Sequence, residues 1–199
     1  MADVAHAHDL HESTGVDNRK LGMWFFLSSE FLFFGALITN YLLFNGREIT
    51  PGVPIPFEIY DIPFTSISSF ILLMSSLTMV LAHHALHEGE QRTARTWLAA
   101  TAGLGLVFLA GQYFEFTEFV GKGATLSADP VWSAFYLLTG FHGVHVLVGI
   151  IMLSVLFATS LRQGGLSEHH GMSLENVGLY WHFVDIIWIV LFTIVYLIP

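Results

Sequence analysis

Five stretches of the chain each run for about 20 residues or more with little or no charge, the length an α-helix needs to cross the hydrocarbon core of a bilayer. They are expected over Leu21 to Phe44, Pro63 to Leu86, Ala94 to Phe119, Pro130 to Leu161 and Asn176 to Ile198. The runs are continuous, so they read as helices; a membrane β-strand would show short alternating segments. Pro63 and Pro130 fall in first turns, where a missing N–H has no helical partner to lose. Of 199 residues, 54% are apolar and 12% charged, with 18 Phe, far more apolar surface than one small soluble core hides. The expected architecture is all-α: a polar tail over residues 1–20, then a single five-helix transmembrane domain over 21–199.

The connections are short and polar, and none is long enough for a separate domain. The tail has no apolar centre and does not read as a cleavable signal peptide, which leaves the first span as the insertion signal. Arg19, Lys20, Arg92, Arg95 and Arg162 lie on one side of the bundle, and only Arg47 and Lys122 on the other. Basic residues favour the cytoplasmic side of short loops, so the N-terminus is expected inside and the C-terminus outside. A formal net charge of −9 argues against nucleic acid, whose phosphates need a basic face. With no Cys, the chain holds neither a disulfide nor a cysteine-ligated metal.

An ionisable group inside a span is costly and is by default a functional candidate. Glu30 lies in the first span and Asp185 in the fifth, each about 13 Å from its expected helix start, so the two acids share a depth. His182 and Asp185 are spaced i, i+3 and share a helix face, where they can pair. His142 and His145 share a face in the same way, with Thr139 and Gly149 extending their stripe and Gly140 and Gly143 permitting close helix approach beside it. Counted along the fourth span, the two histidines fall in the outer half, whereas Glu30, His182 and Asp185 fall in the inner half. That separation disfavours one shared metal site, although His and carboxylate are good ligands. A proton relay is the stronger functional reading, and buried polar groups that fix helix register are the plainer one. Glu30, flanked by Phe26, Leu27, Phe33 and Phe34, reads as the acid left without a partner.

His83 and His87 sit at i, i+4 at the inner end of the second span, a metal-compatible spacing, but a helix C-terminus favours such groups through its dipole and no third ligand is near. His6, His8 and His11 belong to the tail and carry at most a compositional metal affinity. Glu115 and Glu118 are expected at headgroup level, and Tyr113, Trp132, Tyr136 and Trp181 as interfacial anchors.

Three stretches carry a resemblance: "LGMWFFLSSEFLFF" in the first span, "AFYLLTGFHGVHVLVG" in the fourth and "GLYWHFVDIIWIVLFTIVYL" in the fifth. The chain resembles subunit III of the haem–copper terminal oxidases, in the short form without two extra N-terminal spans. The resemblance implies a subunit with no cofactor of its own, haem and copper being held by partner subunits I and II. It implies packing beside subunit I, phospholipid held in a cleft between two groups of helices, and support of proton uptake over many turnovers. The family's intramembrane carboxylate falls on Glu30, its paired histidines on His142 and His145, and its "WHFVD" pair on His182 and Asp185.

The resemblance places the chain in the plasma membrane of a prokaryote, in aerobic respiratory electron transport. The expected helix grouping is the first two spans as one pair and the last three as another, with lipid between them and headgroups met by Arg92, Arg95 or Arg162. The electron donor, cytochrome c or quinol, binds elsewhere in such an assembly and is not encoded here. Two other readings stand beside this one: an accessory subunit of a nitric oxide reductase, which shares these helices, and a stand-alone proton-coupled transporter using Glu30 and Asp185. A transporter usually shows repeat symmetry or discontinuous helices, and the sequence has neither.

Overall fold

The structure, a computed structural model, describes residues 18–161 and 168–198. Six helices follow in order: α1 (Asn18–Phe44), the one-turn α2 (Pro56–Ile59), α3 (Ile62–His87), α4 (Gln91–Gly121), α5 (Pro130–Ser160) and α6 (Glu168–Phe192), the last continued by a π-helical turn over Thr193–Leu197. Five of them are long and apolar enough to cross a membrane. Local chemistry fixes their starts. Asp61 caps α3 by accepting from the Phe64 amide, and Asp129 caps α5 by accepting from the Val131 amide, each just ahead of a proline in the first turn. His84 and His87 close α3, where the exposed carbonyls favour a donor. Gly89, at φ 76°, turns the chain within three residues so that α3 and α4 form a tight antiparallel hairpin.

That hairpin is the most closely packed pair; α4 also packs on α5, α3 on α6, and α5 on α6. The first span does not pair with the second as expected: α1 packs on α5 and α6, so the order around the bundle is α1, α5, α4, α3, α6. The reason lies in the 17-residue connection from Phe44 to Ile62, which is long enough to carry the chain past α5. Its path is tied down at the α5 N-terminus, where Thr50 donates its amide and its hydroxyl to Asp129 at 2.9 and 2.8 Å and the Trp132 indole donates to the Pro54 carbonyl at 3.0 Å. α1 buries only Leu27, Phe34 and Tyr41, one residue every two turns, and leaves most of its surface to its surroundings.

Close approach is made at a tryptophan. The Trp181 ring lies between Gly105 of α4 and Gly149 of α5, where an added Cβ would come within 2.6 and 2.7 Å of it. Trp181 and Trp132 are therefore core residues, 1% and 0% exposed, rather than interfacial anchors; Tyr113, 73% exposed, keeps that role open. Gly143 also sits at a close contact, facing the Gln112 side chain, whereas Gly140 faces open space.

Candidate functional site

The intramembrane polar residues gather into three clusters, each crossing between helices. In the first, Glu30 Oε2 on α1 lies 3.0 Å from His145 Nε2 on α5. The expected split into two depths fails here. Glu30 lies near the middle of the 27-residue α1, and His145 at the middle of the 31-residue α5. α1 starts three residues before its expected span and α5 keeps its expected start, so both residues fall at mid-helix, where counting inner and outer halves separates nothing. His145 Nδ1 stands 2.7 Å from the Phe141 carbonyl, which only accepts, so Nδ1 carries hydrogen. One proton is then shared between Nε2 and Oε2: either Glu30 donates to a neutral imidazole or an imidazolium donates to a carboxylate. In both cases the pair is neutral overall, which suits a membrane interior. The Tyr180 hydroxyl donates to the His145 carbonyl at 2.9 Å, and the Phe34 ring meets His145 at 4.9 Å.

His142 does not continue this pair. It is completely buried, its ring stacked on Trp188 at 4.9 Å with Phe108 and Phe34 at its edges, and neither ring nitrogen has a hydrogen-bond partner among the described residues. Three aromatic rings around an imidazole make a packing position.

In the second cluster, His182 and Asp185 do not pair directly as expected. Both meet Ser76 of α3: its hydroxyl donates to Asp185 Oδ2 at 2.6 Å, and His182 Nδ1 lies 3.2 Å from Ser76 Oγ. Successive positions one turn apart on α6 flank a residue on the antiparallel neighbour, so a short hydroxyl fits between two side chains that point past each other. The third cluster lies toward the end of the bundle that carries the starts of α3 and α5. Glu115, expected among headgroups, is 4% exposed and accepts from the Thr65 hydroxyl at 2.7 Å and the Tyr196 hydroxyl at 2.9 Å. Glu118 pairs instead with Lys122, 2.7 Å away on the surface.

A stripe on α3 went unnoticed in the sequence. Thr65, Ser69, Ser75 and Ser76 each receive or donate a bond across helices, Ser69 and Ser75 accepting the indoles of Trp188 and Trp181 at 2.8 and 2.9 Å. Small hydroxyls at helical spacing in an otherwise apolar span were the available signal. Gln112, which donates to the Thr139 carbonyl at 2.7 Å, was a second.

Near the α1 N-terminus, Lys20 and Glu175 form an ion pair at 2.5 Å, and the His83 and His87 rings are 4.8 Å apart. No group of three or more His, Cys, Asp or Glu able to hold a metal ion occurs among the described residues. The Arg95 guanidinium donates to the Ser160 carbonyl at the end of α5, so part of it is committed to a helix terminus; Arg92 is exposed. Arg162, His6, His8 and His11 lie outside the described residues.

Comparison with known proteins identifies the family. The family model described as cytochrome c oxidase subunit III matches residues 1–198. A probable quinol oxidase subunit 3 of Staphylococcus haemolyticus is 36% identical over 199 residues, and one of Staphylococcus saprophyticus 34% over 197; each match covers 94% of this chain and 96% of the relative. A third, from Staphylococcus aureus, is 33% identical over 196 residues. A match from end to end, on a bundle that seats the Glu, His and Asp of the quoted motifs in contact across helices, decides the family: the chain belongs to the cytochrome c oxidase subunit III family, the non-catalytic third subunit of haem–copper oxidases.

Proposed function

We propose that the chain seats beside the catalytic subunit of a haem–copper oxygen reductase in a prokaryotic plasma membrane, with its N-terminus in the cytoplasm, holds phospholipid against the complex and supports proton uptake and stability. The match over residues 1–198 carries this reading. Oxygen chemistry, haem and copper belong to partner subunits I and II; this chain contributes a protein surface and a neutral polar interior. The relatives' names favour quinol over cytochrome c as the electron donor of the complex.

Lipid has a place to bind. A groove of about 540 Å³ between α1 and α6 is lined by Trp24, Leu27, Phe31, Leu179 and Phe183, apolar except at Ser28 and His182, and suits an acyl chain. It replaces the expected cleft between the first two spans and the last three, which the helix order does not form. Arg19 on α1 and Arg92 on α4 are both exposed at the same end of the bundle, where cations meet lipid headgroups.

The test is purification of the complex through a tag on this chain in mild detergent. Haem absorbance, oxygen consumption driven by quinol and co-purified phospholipid are expected together. A chain that purifies alone, with no haem-bearing partner, would overturn the assignment.

A further inference from the structure

His182 stands between two depressions in the bundle surface. One is the apolar groove beside α1. The other is a notch of about 170 Å³ between α3 and α6, lined by Met79, Val80, His83, Glu175, Leu179 and His182, with room for roughly five water molecules at liquid density. His83 lies one turn from the end of α3, so the notch sits toward the end of the bundle that carries the α1 N-terminus. Its walls offer two imidazoles and a carboxylate, the latter also holding Lys20.

Behind His182 the hydrogen bonds run in one direction. Ser76 spends its only hydroxyl proton on Asp185, so toward His182 it accepts, and Nδ1 of His182 carries the hydrogen. His182 Nε2 makes no hydrogen bond among the described residues, and the side chain lines the notch as well as the groove. Asp185 is 5% exposed, and its second oxygen, Oδ1, has no partner among the described residues. The chain of donors goes no further: the flanking indoles of Trp181 and Trp188 are committed to Ser75 and Ser69.

We propose that the notch is a water inlet and that His182, Ser76 and Asp185 form a proton-loading site reached from that one end of the bundle. A hydronium in the notch gives its proton to His182 Nε2. The Nδ1 proton passes to Ser76 Oγ as the Ser76 proton passes to Asp185 Oδ2. The products are water, a neutral His182 now protonated on Nε2, a Ser76 hydroxyl turned to donate to His182 Nδ1 and a neutral Asp185 carboxyl, so loading removes a charge from the membrane interior. Among the described residues, the other titratable groups around α6 are Glu175 and Tyr180 on the helix itself, His83 on α3, Lys20 and Glu30 on α1, and His142 and His145 on α5; Glu115 of α4 lies at the far end beside Tyr196. This goes beyond the oxidase reading and needs only that the bundle span a bilayer.

The absence of cysteine makes the inlet directly testable. In the purified complex in oriented vesicles, Val80→Cys, at a position that lines the notch and not the groove, is treated with a membrane-impermeant cationic methanethiosulfonate from each side, and modification is read by the mass of this subunit. Labelling about tenfold faster than at the exposed α4 position Val107→Cys, and only from the α1 N-terminal side, is expected because a thiolate reacts where water reaches it. Equal rates at the two positions, or from the two sides, would overturn the inlet. For the proton step, an acid jump on the same side should raise a carboxyl infrared band that Asp185→Asn removes, about tenfold more slowly in Ser76→Ala. An unchanged rate in Ser76→Ala, with cysteine labelling preserved, would overturn the wire. Neither readout depends on turnover, so failure here leaves the oxidase assignment standing.

Discussion

Glu30 of α1 and His145 of α5, 115 residues apart in sequence, hold one proton between them across 3.0 Å. The shared proton makes a definite demand on substitutions. Glu30→Gln can donate its amide to His145 Nε2 and keep the pair neutral, so subunit retention and oxygen reduction should stay near wild type. His145→Phe leaves a carboxyl without its partner in a half-buried site, a loss of about 3 kcal/mol, read as earlier release of the subunit on heating in mild detergent. If Glu30→Gln abolished turnover, the pair would have to be placed on an obligatory proton path.

Outside the membrane, Asp129 provides a pH dependence. Burial alone would raise its pKa, but the amides of Thr50 and Val131 and the Thr50 hydroxyl outweigh it and hold the carboxyl below its ordinary value. A depressed folded-state pKa adds stability that is complete above the unfolded value and lost as pH falls through the folded one. The thermal advantage of wild type over Asp129→Asn should therefore be constant at neutral pH and shrink below about pH 4. An advantage that persists unchanged at pH 3 would show that charge plays no part in anchoring the connection.

Glycines on the same helix should respond oppositely. At Gly149 a Cβ meets the Trp181 ring at 2.7 Å, and the ring is fixed from the other side by Gly105, so Gly149→Ala should destabilise by about 1–3 kcal/mol. Gly140 faces open space, and Gly140→Ala should be neutral or stabilising by up to about 1 kcal/mol through helix propensity. Melting of the detergent-solubilised complex compares the two.

Ser69 and Trp188 test the hydroxyl stripe. Ser69→Ala strands the indole N–H of Trp188, which is 2% exposed, for a loss of about 1–3 kcal/mol. Ser66→Ala, whose exposed hydroxyl bonds only to the Ile62 carbonyl of its own helix, should show no loss.

The five spans, their helical nature and the residues worth attention could all be read from hydropathy and from the cost of polar groups in lipid. Partnership could not. Glu30 and His145 meet because α1 lies against α5, and helix order is set by the path of a connection rather than by any periodicity. Ser76 escaped notice because a serine in a span usually satisfies itself on its own backbone, as Ser66 and Ser154 do. Glu115 was misplaced because distance from a helix end says nothing of which face it occupies; it faces Thr65 and Tyr196 rather than lipid.

The neighbours of α1 also set a schedule for biosynthesis. α1 leaves the ribosome well before its packing partners α5 and α6, and the α3–α4 hairpin is made in between. At roughly 5–20 residues per second, Glu30 waits on the order of ten seconds for His145 to be made. Throughout that interval the acid must be carried neutral, or sheltered at the insertion machinery, because lipid offers it no imidazole. Conditions that slow elongation between α1 and α5 should therefore expose this chain to quality-control proteolysis before its bundle can close.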